Sequence, residues 1–442
     1  MSATPSNPHD RRCQAPETSL PPRARAPAQS TTSTTLEAPL SAGTGIQTPR
    51  NTPSTEAAAS AGSSTAANGD APIADAPTDD YTTLKAGTPA FVHAVEAALT
   101  DFFHAQRPTV EPLGEIFVQA AEALELFVLR GGKRTRPAFA WTGWLGAGGD
   151  AAGPDAAAVL KACAALELVQ ACALIHDDII DSSRTRRRFP TVHVDFEQRH
   201  RERDWAGDSA HFGASVAILV GDLALAWADD MVHASGLDPA AIARFAPVWA
   251  QMRTEVLGGQ LLDINGEAGG DESVAAALRI NRYKTAAYTV ERPLHLGAAI
   301  ADAEPKLVED YRTFGTDIGI AFQLRDDLLG VFGDPEVTGK PSGDDLREGK
   351  RTVLIAEALQ RADSIDPAAA TLLRTSLGTD LSADQVAHLR AVLTDLGAVD
   401  EVERRISDLT EQGLAAIESS SATAAMKEQL RAMALSATRR AA

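Results

Sequence analysis

The stretch Leu174–Asp181 reads LIHDDIID and ends an apolar run that begins near Ala156 and holds no proline or glycine. Such a run predicts a long, mostly buried helix. Residues four apart lie on one face of a helix, so Asp177 and Asp181 point the same way, with Asp178 one residue round. Because like charges at that spacing repel, the end of this helix needs a counterion, unless it is simply a solvated acidic helix end.

A second stretch, Gln323–Gly330, repeats this design at the end of another apolar helical run, Phe314–Val331. It reads QLRDDLLG, and its acids are Asp326 and Asp327. Hard divalent cations take oxygen ligands, and Mg²⁺ typically keeps several waters, binds one or two carboxylates and completes its shell with substrate phosphate. Two such acid pairs on buried helices therefore predict two walls of one metal-lined cavity.

Composition divides the 442 residues into two parts. No Phe, Tyr or Trp precedes Tyr81, and Ser, Thr, Ala and Pro dominate that segment. Such a segment cannot bury enough apolar surface to offset its ordering entropy. We therefore expect residues 1–85 to be a disordered low-complexity extension and residues 86–442 to form one large domain. The extension has no apolar core of the signal-peptide type, which argues against secretion.

Charge and cysteine usage exclude several classes of protein. The formal net charge is −19, so non-specific nucleic-acid binding is not expected. The three cysteines, Cys13, Cys163 and Cys172, have no metal-site spacing, and a cytoplasmic location fits them. The most apolar run, Ala214–Trp227, is too short to span a membrane and contains Asp222, so no transmembrane segment is expected.

Apolar residues at helical spacing continue through the large domain, and no β pattern is present. Gly131 and Gly132 end one predicted helix as a C-cap, and Pro137 opens the next in the first-turn position. Gly258 and Gly259 lie inside another predicted helix, where they weaken it and suggest close approach of a second backbone. The predicted helices cover residues 89–104, 113–129, 138–145, 156–181, 213–235, 238–265, 272–302, 305–333, 350–362, 382–396, 399–417 and 423–438.

Basic residues are concentrated in two loops. Gly131–Pro137 reads GGKRTRP and opens onto a helix N-terminus, where backbone N–H groups and the helix dipole favour an anion. Arg can bind two phosphate oxygens at once, while Lys acts as a point charge. The other loop, Arg184–Arg188, follows the first acidic stretch. A basic loop considered alone is more often simply solvated. These two loops therefore indicate an anion-binding site only when they are considered together with the acidic stretches.

These motifs together resemble those of the trans-polyprenyl diphosphate synthases. The resemblance extends from about Phe91 to the C-terminus, and within the family it is strongest to the actinobacterial geranylgeranyl/farnesyl diphosphate synthase group. It implies an all-α isoprenoid synthase helical bundle around a central cavity with two facing aspartate-rich helices. It also implies a homodimer, isopentenyl diphosphate and allylic diphosphates as substrates, and Mg²⁺ as cofactor, with three ions per site.

The resemblance also implies roles for individual residues. The implied metal ligands are Asp177, Asp178, Asp181, Asp326 and Asp327. The implied catalytic residues are Asp177, Asp181, Arg186, Lys284 and Asp326. Isopentenyl diphosphate would be held by Lys133, Arg136, Gln170 and Arg187. The allylic diphosphate would be faced by Arg186, Lys284 and Thr285, with Gln323 near the reacting carbons and Lys340 and Lys350 on a loop that closes over the diphosphate.

Two positions depart from the family pattern. Arg188 replaces the glycine that usually follows the arginine pair, which concerns the backbone shape of that loop. Gly330 stands where a third aspartate of the second motif often lies. Asp334 follows Gly333 and precedes Pro335, so it lies off the helix face and is a poor substitute.

Product length is predicted from the helix that carries Asp177. Ala173 lies one turn before Asp177 and Val169 two turns before it, on the face expected to line the channel, with Cys172 beside them. In this family a Phe or Tyr four or five residues before the motif often stops growth, and here both positions are small. The floor is therefore expected deeper, which favours geranylgeranyl diphosphate (C20), with farnesyl diphosphate (C15) second and longer chains third.

Two rival functions remain at this point. A class I terpene cyclase shares the aspartate motif but would lack an isopentenyl site, and Lys133, Arg136 and Arg187 argue against it. A non-catalytic subunit of a heteromeric synthase tends to lose its aspartates, which are retained in this chain.

Overall fold

The computed structural model describes residues 81–334 and 343–439, and within them the all-α prediction is confirmed. Most of the predicted N-terminal extension and Lys340 lie outside these residues. The division at residue 85 therefore stays a prediction, although Tyr81 already packs on Trp141, with ring centroids 6.4 Å apart.

Helices make up most of the described residues. In chain order they are α1 (Pro89–Val110), α2 (Glu115–Leu129), α3 (Thr135–Gly146), α4 (Ala156–Ala164), α5 (Leu166–Ile180), α6 (Val192–Glu202), α7 (Ser209–His233), α8 (Pro239–Gly269), α9 (Val274–Ile280), a π-helix (Asn281–Glu291), α10 (Arg292–Ile300), α11 (Pro305–Phe332), α12 (Asp344–Glu348), α13 (Val353–Ile365), α14 (Pro367–Ser376), α15 (Ala383–Asp395), α16 (Ala398–Ser419) and α17 (Ala424–Thr438). Single turns of 3₁₀-helix cover Tyr81–Thr83 and Glu111–Leu113.

Packing of these helices places the two acidic stretches opposite each other. α5 carries the first acidic stretch and packs against α7, while α11 carries the second and packs against both α16 and the π-helix. α8 packs against the π-helix from another side. The four elements α5, α8, α11 and the π-helix enclose a cavity.

The prediction that no strand is present was wrong at one point. Thr185–Arg186 and Phe189–Pro190 form a two-residue antiparallel pair, β1 and β2. Arg187 and Arg188 join them with φ of 51° and 69°. A two-residue hairpin turn of this kind needs a left-handed backbone at both of its central residues. Arg188 adopts that conformation although glycine, the usual residue here in the family, would adopt it more easily.

The helix predicted from Ala156 to Asp181 is interrupted at Ala165, which separates α4 from α5. The Leu168 N–H donates to the Ala165 carbonyl at this point, a bond between residues three apart that tightens the turn. No proline or glycine marks the break, so periodicity alone did not reveal it. The helix predicted to begin after Pro137 starts instead at Thr135. The prediction that Gly131 and Gly132 end the preceding helix is confirmed, since α2 ends at Leu129 and Gly131 has a left-handed φ of 71°.

The helix predicted over residues 272–302 is present as one continuous run of α9, the π-helix and α10, so its extent is confirmed and only the π-helical middle was not predicted. Glycines of α8 and α11 make room for the wide π-helix. A Cβ on Gly259 would lie 2.2 Å from the backbone nitrogen of Lys284, and one on Gly319 would lie 2.6 Å from the Ala286 Cα. The close approach predicted for the glycine pair is thus confirmed at Gly259, while a Cβ on Gly258 would meet nothing within 4 Å.

Two helices are long and apolar enough to cross a membrane by length and composition. Ala156–Ile180, which is α4 with α5, is mostly buried inside the fold. Ser209–His233, which is α7, is longer than the apolar run recognised in the sequence, so the prediction that this segment is too short was wrong. α7 nevertheless packs against α5 and α6, as a helix of the bundle.

Candidate active site

A cavity of about 980 Å³ lies between the two acidic stretches. Its carboxylates come from four separate segments, and its cations come from the two basic loops, α8, the π-helix and the segment after α12. The charged lining residues are Asp177, Asp263, Asp326, Asp327, Asp345, Lys133, Arg136, Arg186, Arg187, Arg253, Lys284, Lys350 and Arg351. The sequence prediction that both acidic helices face one cavity therefore agrees with the geometry.

Lys284 of the π-helix joins the first acidic wall to α8. Its Nζ donates to Asp177 Oδ1 at 3.1 Å and to Asp263 Oδ2 at 2.5 Å. Burial alone would raise the pKa of Asp177, but Lys284, followed by Arg186, holds that pKa below its ordinary value. Burial would likewise lower the pKa of Lys284, and the two carboxylates raise it instead. Asp177 is therefore ionised and Lys284 cationic near neutral pH.

Asp178 faces away from the cavity and holds Arg186. The Arg186 Nε donates to both carboxylate oxygens, at 2.8 and 3.0 Å, and Asp178 is only 1% exposed. Arg186 also approaches Asp177, with Nη2 to Oδ2 at 3.6 Å. Asp178 thus aims a guanidinium of the β-hairpin at the cavity, an arrangement that its prediction as a metal ligand did not include.

Asp181 caps α5 at the rim of the cavity. Its carboxylate lies 3.9 Å from the Lys350 Nζ. Burial raises the pKa of Asp181 to about 6, and the neighbouring Asp177 charge adds to the effect. A cation between these two acids would relieve that repulsion.

In the second acidic wall both aspartates line the cavity, and one of them is more deeply buried than the other. Asp326 lines the cavity directly. Asp327 is more deeply buried and accepts hydrogen bonds from Gln323 Nε2 at 2.7 Å and Asn281 Nδ2 at 3.3 Å. Burial raises the pKa of Asp327 to about 7, with Asp345 contributing in the same direction. Gln323 therefore orients a carboxylate in this structure, as well as lining the cavity as predicted.

Gly330 leaves the space that the Asp345 carboxylate occupies. A Cβ on Gly330 would lie 1.8 Å from Asp345 Oδ2. Asp345 comes from α12, and its Oδ1 is 3.7 Å from the Lys350 Nζ, which also pairs with Glu348 at 2.7 Å. The carboxylate missing from the second motif is thus supplied from another segment, while Asp334 does not line the cavity.

The GGKRTRP loop brings two cations to the cavity and anchors itself with a third. Lys133 and Arg136 line the cavity. The Arg136 Nη2 donates to the Thr289 hydroxyl at 2.8 Å, and its guanidinium lies 4.0 Å from the centre of the Tyr288 ring. Arg187 of the hairpin donates to the carbonyls of Arg130 and Gly131, at 3.2 and 3.0 Å. The two basic loops therefore form one cationic surface.

Arg134 is the buried anchor of that loop. It has a left-handed backbone, with φ 49°, and is 3% exposed. Its guanidinium pairs with Glu167 of α5 at 2.7 Å and with Glu96 of α1 at 2.9 Å. The side chain turns inward, so the neighbouring Lys133 and Arg136 are left to face the cavity.

The half of the cavity away from these charges is mainly apolar. The predicted chain-length residues Val169, Cys172 and Ala173 line it from α5. Leu225 of α7, Val256 and Leu257 of α8 and Phe322 of α11 add to these apolar walls. Ala277 and Ile280 of α9 line the cavity near the acidic stretches instead. One site therefore combines a charged half, suited to phosphates, with an apolar half, suited to a hydrocarbon.

The structure brings most of the predicted residues together. The ones that line the cavity are Lys133, Arg136, Gln170, Arg186, Arg187, Lys284, Thr285, Gln323, Lys350, Asp177, Asp326 and Asp327. Asp178 and Asp181 do not line it, and Lys340 lies outside the described residues. Sequence reasoning missed Asp263, Asp345 and Arg253, because the groups they meet in the fold, Lys284, Gly330 and Asp229, belong to other elements.

The donor set fits a hard divalent cation that is completed by a substrate. In the described residues no three Asp, Glu, His or Cys side chains converge as a protein-only cage would require. Asp177 and Asp326 instead present oxygen donors from opposite walls, with the cavity between them. Such an arrangement leaves room for phosphate oxygens and waters, which Mg²⁺ commonly keeps in its shell.

Comparison with known proteins agrees with this geometry. Residues 118–394 match the model of the polyprenyl synthetase family. The chain is 52% identical to a solved geranylgeranyl pyrophosphate synthase from Corynebacterium glutamicum, complexed with isoprenyl diphosphate and magnesium, with a TM-score of 0.78 over 81% of this chain and all of that one. It is 34% identical to a geranylfarnesyl diphosphate synthase from Aeropyrum pernix, over 62% of this chain and 79% of that protein. It is 29% identical to a geranylgeranyl diphosphate synthase from Methanosarcina mazei, over 72% and 86% of the respective chains.

Proposed function

The chain belongs to the polyprenyl synthetase family and is a prenyltransferase, and on that premise we propose that it condenses isopentenyl diphosphate with allylic diphosphates to make geranylgeranyl diphosphate. The observation that carries the proposal is the divided cavity, with carboxylates and cations at one end and apolar side chains at the other. The matched relatives have names that cover more than one product length, so length rests on this chain's own cavity.

The charged half accounts for binding of two diphosphates. Lys133, Arg136 and Arg187 form the surface that holds isopentenyl diphosphate, with Gln170 beside it. Arg186, Lys284 and Lys350 lie nearer the acidic walls and face the allylic diphosphate. Mg²⁺, bound by Asp177 and Asp326 with further help from Asp181, would neutralise the allylic diphosphate and stabilise it as a leaving group. The Corynebacterium relative was solved with magnesium, which supports this cofactor.

The reaction follows from that charge distribution. The bond between C1 of the allylic substrate and its diphosphate oxygen breaks, and the diphosphate departs with the electron pair. Lys284 and Arg186, held by Asp263 and Asp178, stabilise the departing negative charge. The double bond of isopentenyl diphosphate attacks the allylic carbon, and the departing diphosphate takes the proton that is then lost. The protein itself needs no nucleophile.

The rival functions do not fit as well. A cyclase has no use for a second diphosphate site, whereas Lys133, Arg136 and Arg187 all line the cavity beside the acidic walls, which supports such a site. A non-catalytic subunit would not need Asp177, Lys284 and Asp326 in one cavity. Farnesyl diphosphate synthase remains the next candidate, followed by a longer-chain synthase.

A homodimer in the cytoplasm completes the proposal. The outward faces of α7 and α8 expose large apolar side chains, with Leu219 and Leu261 each 67% exposed and Ile218 47% exposed. Such a contiguous apolar face is typical of a protein–protein interface. Light scattering of the purified protein is expected to give twice the mass of one chain.

Incubation of the purified protein with isopentenyl diphosphate, Mg²⁺ and each allylic starter in turn tests the function. Dimethylallyl, geranyl and farnesyl diphosphates should all be extended, and C20 should dominate the products. Accumulation of C15 with no extension of farnesyl diphosphate would instead favour farnesyl diphosphate synthase.

A further inference from the structure

The apolar half of the cavity ends on three helices. The lining residue most distant from the charged half is Val169 on α5, Leu225 on α7 and Arg253 on α8. α7 runs antiparallel to α5 and α8. His176 of α5 contacts the Ile218 carbonyl of α7 near the charged end of the cavity, and Arg253 of α8 pairs with Asp229 of α7 near the opposite end. The three residues therefore form the floor of the apolar half, and Arg253, which pairs with Asp229 one turn beyond Leu225, is its deepest member.

Arg253 is the unusual member of this floor because it carries a charge. It lies nearly three turns, or about 15 Å, from Asp263 on the same helix, out of reach of a diphosphate held at Lys284. Other cations of the cavity are explained by substrate phosphates, but Arg253 is not. Its position among Leu225, Val256 and Leu257 calls for another role.

Neighbouring side chains hold Arg253 in place. Its Nη1 pairs with Asp229 Oδ2, and its guanidinium lies 5.6 Å from the centre of the Trp249 ring. The Trp249 indole N–H donates to Asp229 Oδ1 at 2.5 Å, and Trp249 is 3% exposed. Displacing Arg253 would therefore break an ion pair that is itself fixed by a buried tryptophan.

We propose that Arg253, fixed by Asp229 and Trp249, is the residue that ends chain elongation, so that it determines the product length of the synthase proposed above. A hydrocarbon tail that reaches Arg253 gains no burial beyond it, since further growth would desolvate a paired charge. An isoprene unit spans about one helical turn, so a depth of about 15 Å holds a tail of three units. Farnesyl diphosphate fits as a substrate, geranylgeranyl diphosphate does not, and C20 is the last product.

The assignment is tested by changing the floor and measuring products. Arg253→Ala removes the side chain and Arg253→Met keeps its length without the charge. Both are compared with wild type and with Gln251→Ala, an exposed position on the same helix turned away from the cavity. Each protein is given isopentenyl diphosphate, Mg²⁺ and either farnesyl or geranylgeranyl diphosphate, and its melting curve is recorded by circular dichroism.

Arg253→Ala is expected to extend geranylgeranyl diphosphate at least about tenfold better than wild type, as hydrophobic pockets discriminate by that order per small group. Products of C25 and longer should appear, and Gln251→Ala should match wild type. Ala173→Phe, which fills the same channel above the floor, should shift products one unit shorter.

The outcomes separate this inference from the proposed function. If wild type incorporates no isopentenyl diphosphate, the proposed function fails and the inference fails with it. If wild type makes C20 and both folded Arg253 variants keep its product distribution, Arg253 is not the floor while the function stands. Longer products from either Arg253 variant, with the melting curve retained, support the assignment.

Discussion

At the scale of single residues, each acidic pair divides its work between a carboxylate that faces the cavity and a neighbour that is buried. Asp177 and Asp326 face inward. Asp178 holds Arg186, and Asp327 is held by Gln323 and Asn281. Because adjacent positions on a helix are about 100° apart, one aspartate of a pair can bind a ligand while the other orients the neighbouring groups. Sequence alone showed the pairs but not this division.

Asp177→Ala should abolish most turnover, because the leaving diphosphate loses a bound Mg²⁺ and Lys284 loses one of its two carboxylates. The expected cost is at least about 4 kcal/mol, or about a thousandfold in kcat/KM. Steady-state kinetics at saturating Mg²⁺ measure it, with the exposed Asp101→Ala as the matched control. Turnover of Asp177→Ala close to wild type would show that this acid does not serve the reaction.

In the metal-free protein, the stability that Asp181 and Asp327 contribute should be lost as the pH rises from about 4 to about 7. Burial raises the pKa of Asp181 to about 6 and that of Asp327 to about 7 in the folded state, above their ordinary value of 3.8. The folded protein therefore binds these protons more tightly than the unfolded chain does. The stabilisation is full below the ordinary pKa and is lost as the pH passes the raised values.

Melting temperatures in a chelator across this pH range measure the effect. Asp327→Asn should flatten the decline relative to wild type, and added Mg²⁺ should restore stability near pH 7 in wild type. A chelated wild-type protein that becomes more stable between about pH 5 and about pH 7, relative to Asp327→Asn, would contradict the pKa directions.

At the scale of elements, the π-helix is the feature that arranges the site. It carries Lys284, Thr285, Tyr288 and Thr289 to the cavity, and such widened helices frequently occur at functional sites. Gly259, Gly315 and Gly319 let neighbouring helices approach its backbone. The sequence showed an uninterrupted helical period in this segment, because a change of hydrogen-bonding register leaves little trace in the pattern of apolar residues.

Gly259→Ala and Gly258→Ala form a matched pair that tests this packing. A methyl group at 259 meets the Lys284 backbone and should destabilise the protein by about 1–3 kcal/mol, as overpacking does. It should also lower turnover, because Lys284 must shift. At 258 the space is open, and alanine should stabilise the helix by about 0.5–1 kcal/mol with turnover retained.

Urea unfolding and steady-state kinetics of both variants give these values. Equal stability and equal turnover of the two variants would mean that α8 does not press on the π-helix at Lys284.

At the scale of the whole molecule, the sequence predicted more of the fold than of the site's connections. Periodicity located most long helices, and the acidic and basic motifs located most of the cavity. The sequence prediction missed α6, although the buried Val192, Phe196 and His200 recur at helical spacing among its charged residues. It also missed α14, although Asp366-Pro367 is a good signal for the start of a helix. Asp263, Asp345 and Arg253 could not be found, because their functions depend on partners that only the folded chain brings near.

Deletion of residues 1–80 should leave condensation and melting temperature essentially unchanged, because that segment has no aromatic residue and little to bury. Deletion through residue 94 is the control. It removes Tyr81, which packs on Trp141, and Phe91, which is fully buried, so it should unfold or strongly destabilise the protein. A large loss of turnover or of melting temperature on deletion of residues 1–80 would show that the extension is part of the fold.

Release of diphosphate from farnesyl diphosphate, with and without isopentenyl diphosphate, tests the central claim that this cavity couples ionisation to condensation. We predict release only when isopentenyl diphosphate and Mg²⁺ are both present, with one diphosphate released for each C20 diphosphate formed. Release without isopentenyl diphosphate, accompanied by a hydrocarbon or alcohol product, would contradict it and identify a cyclase instead.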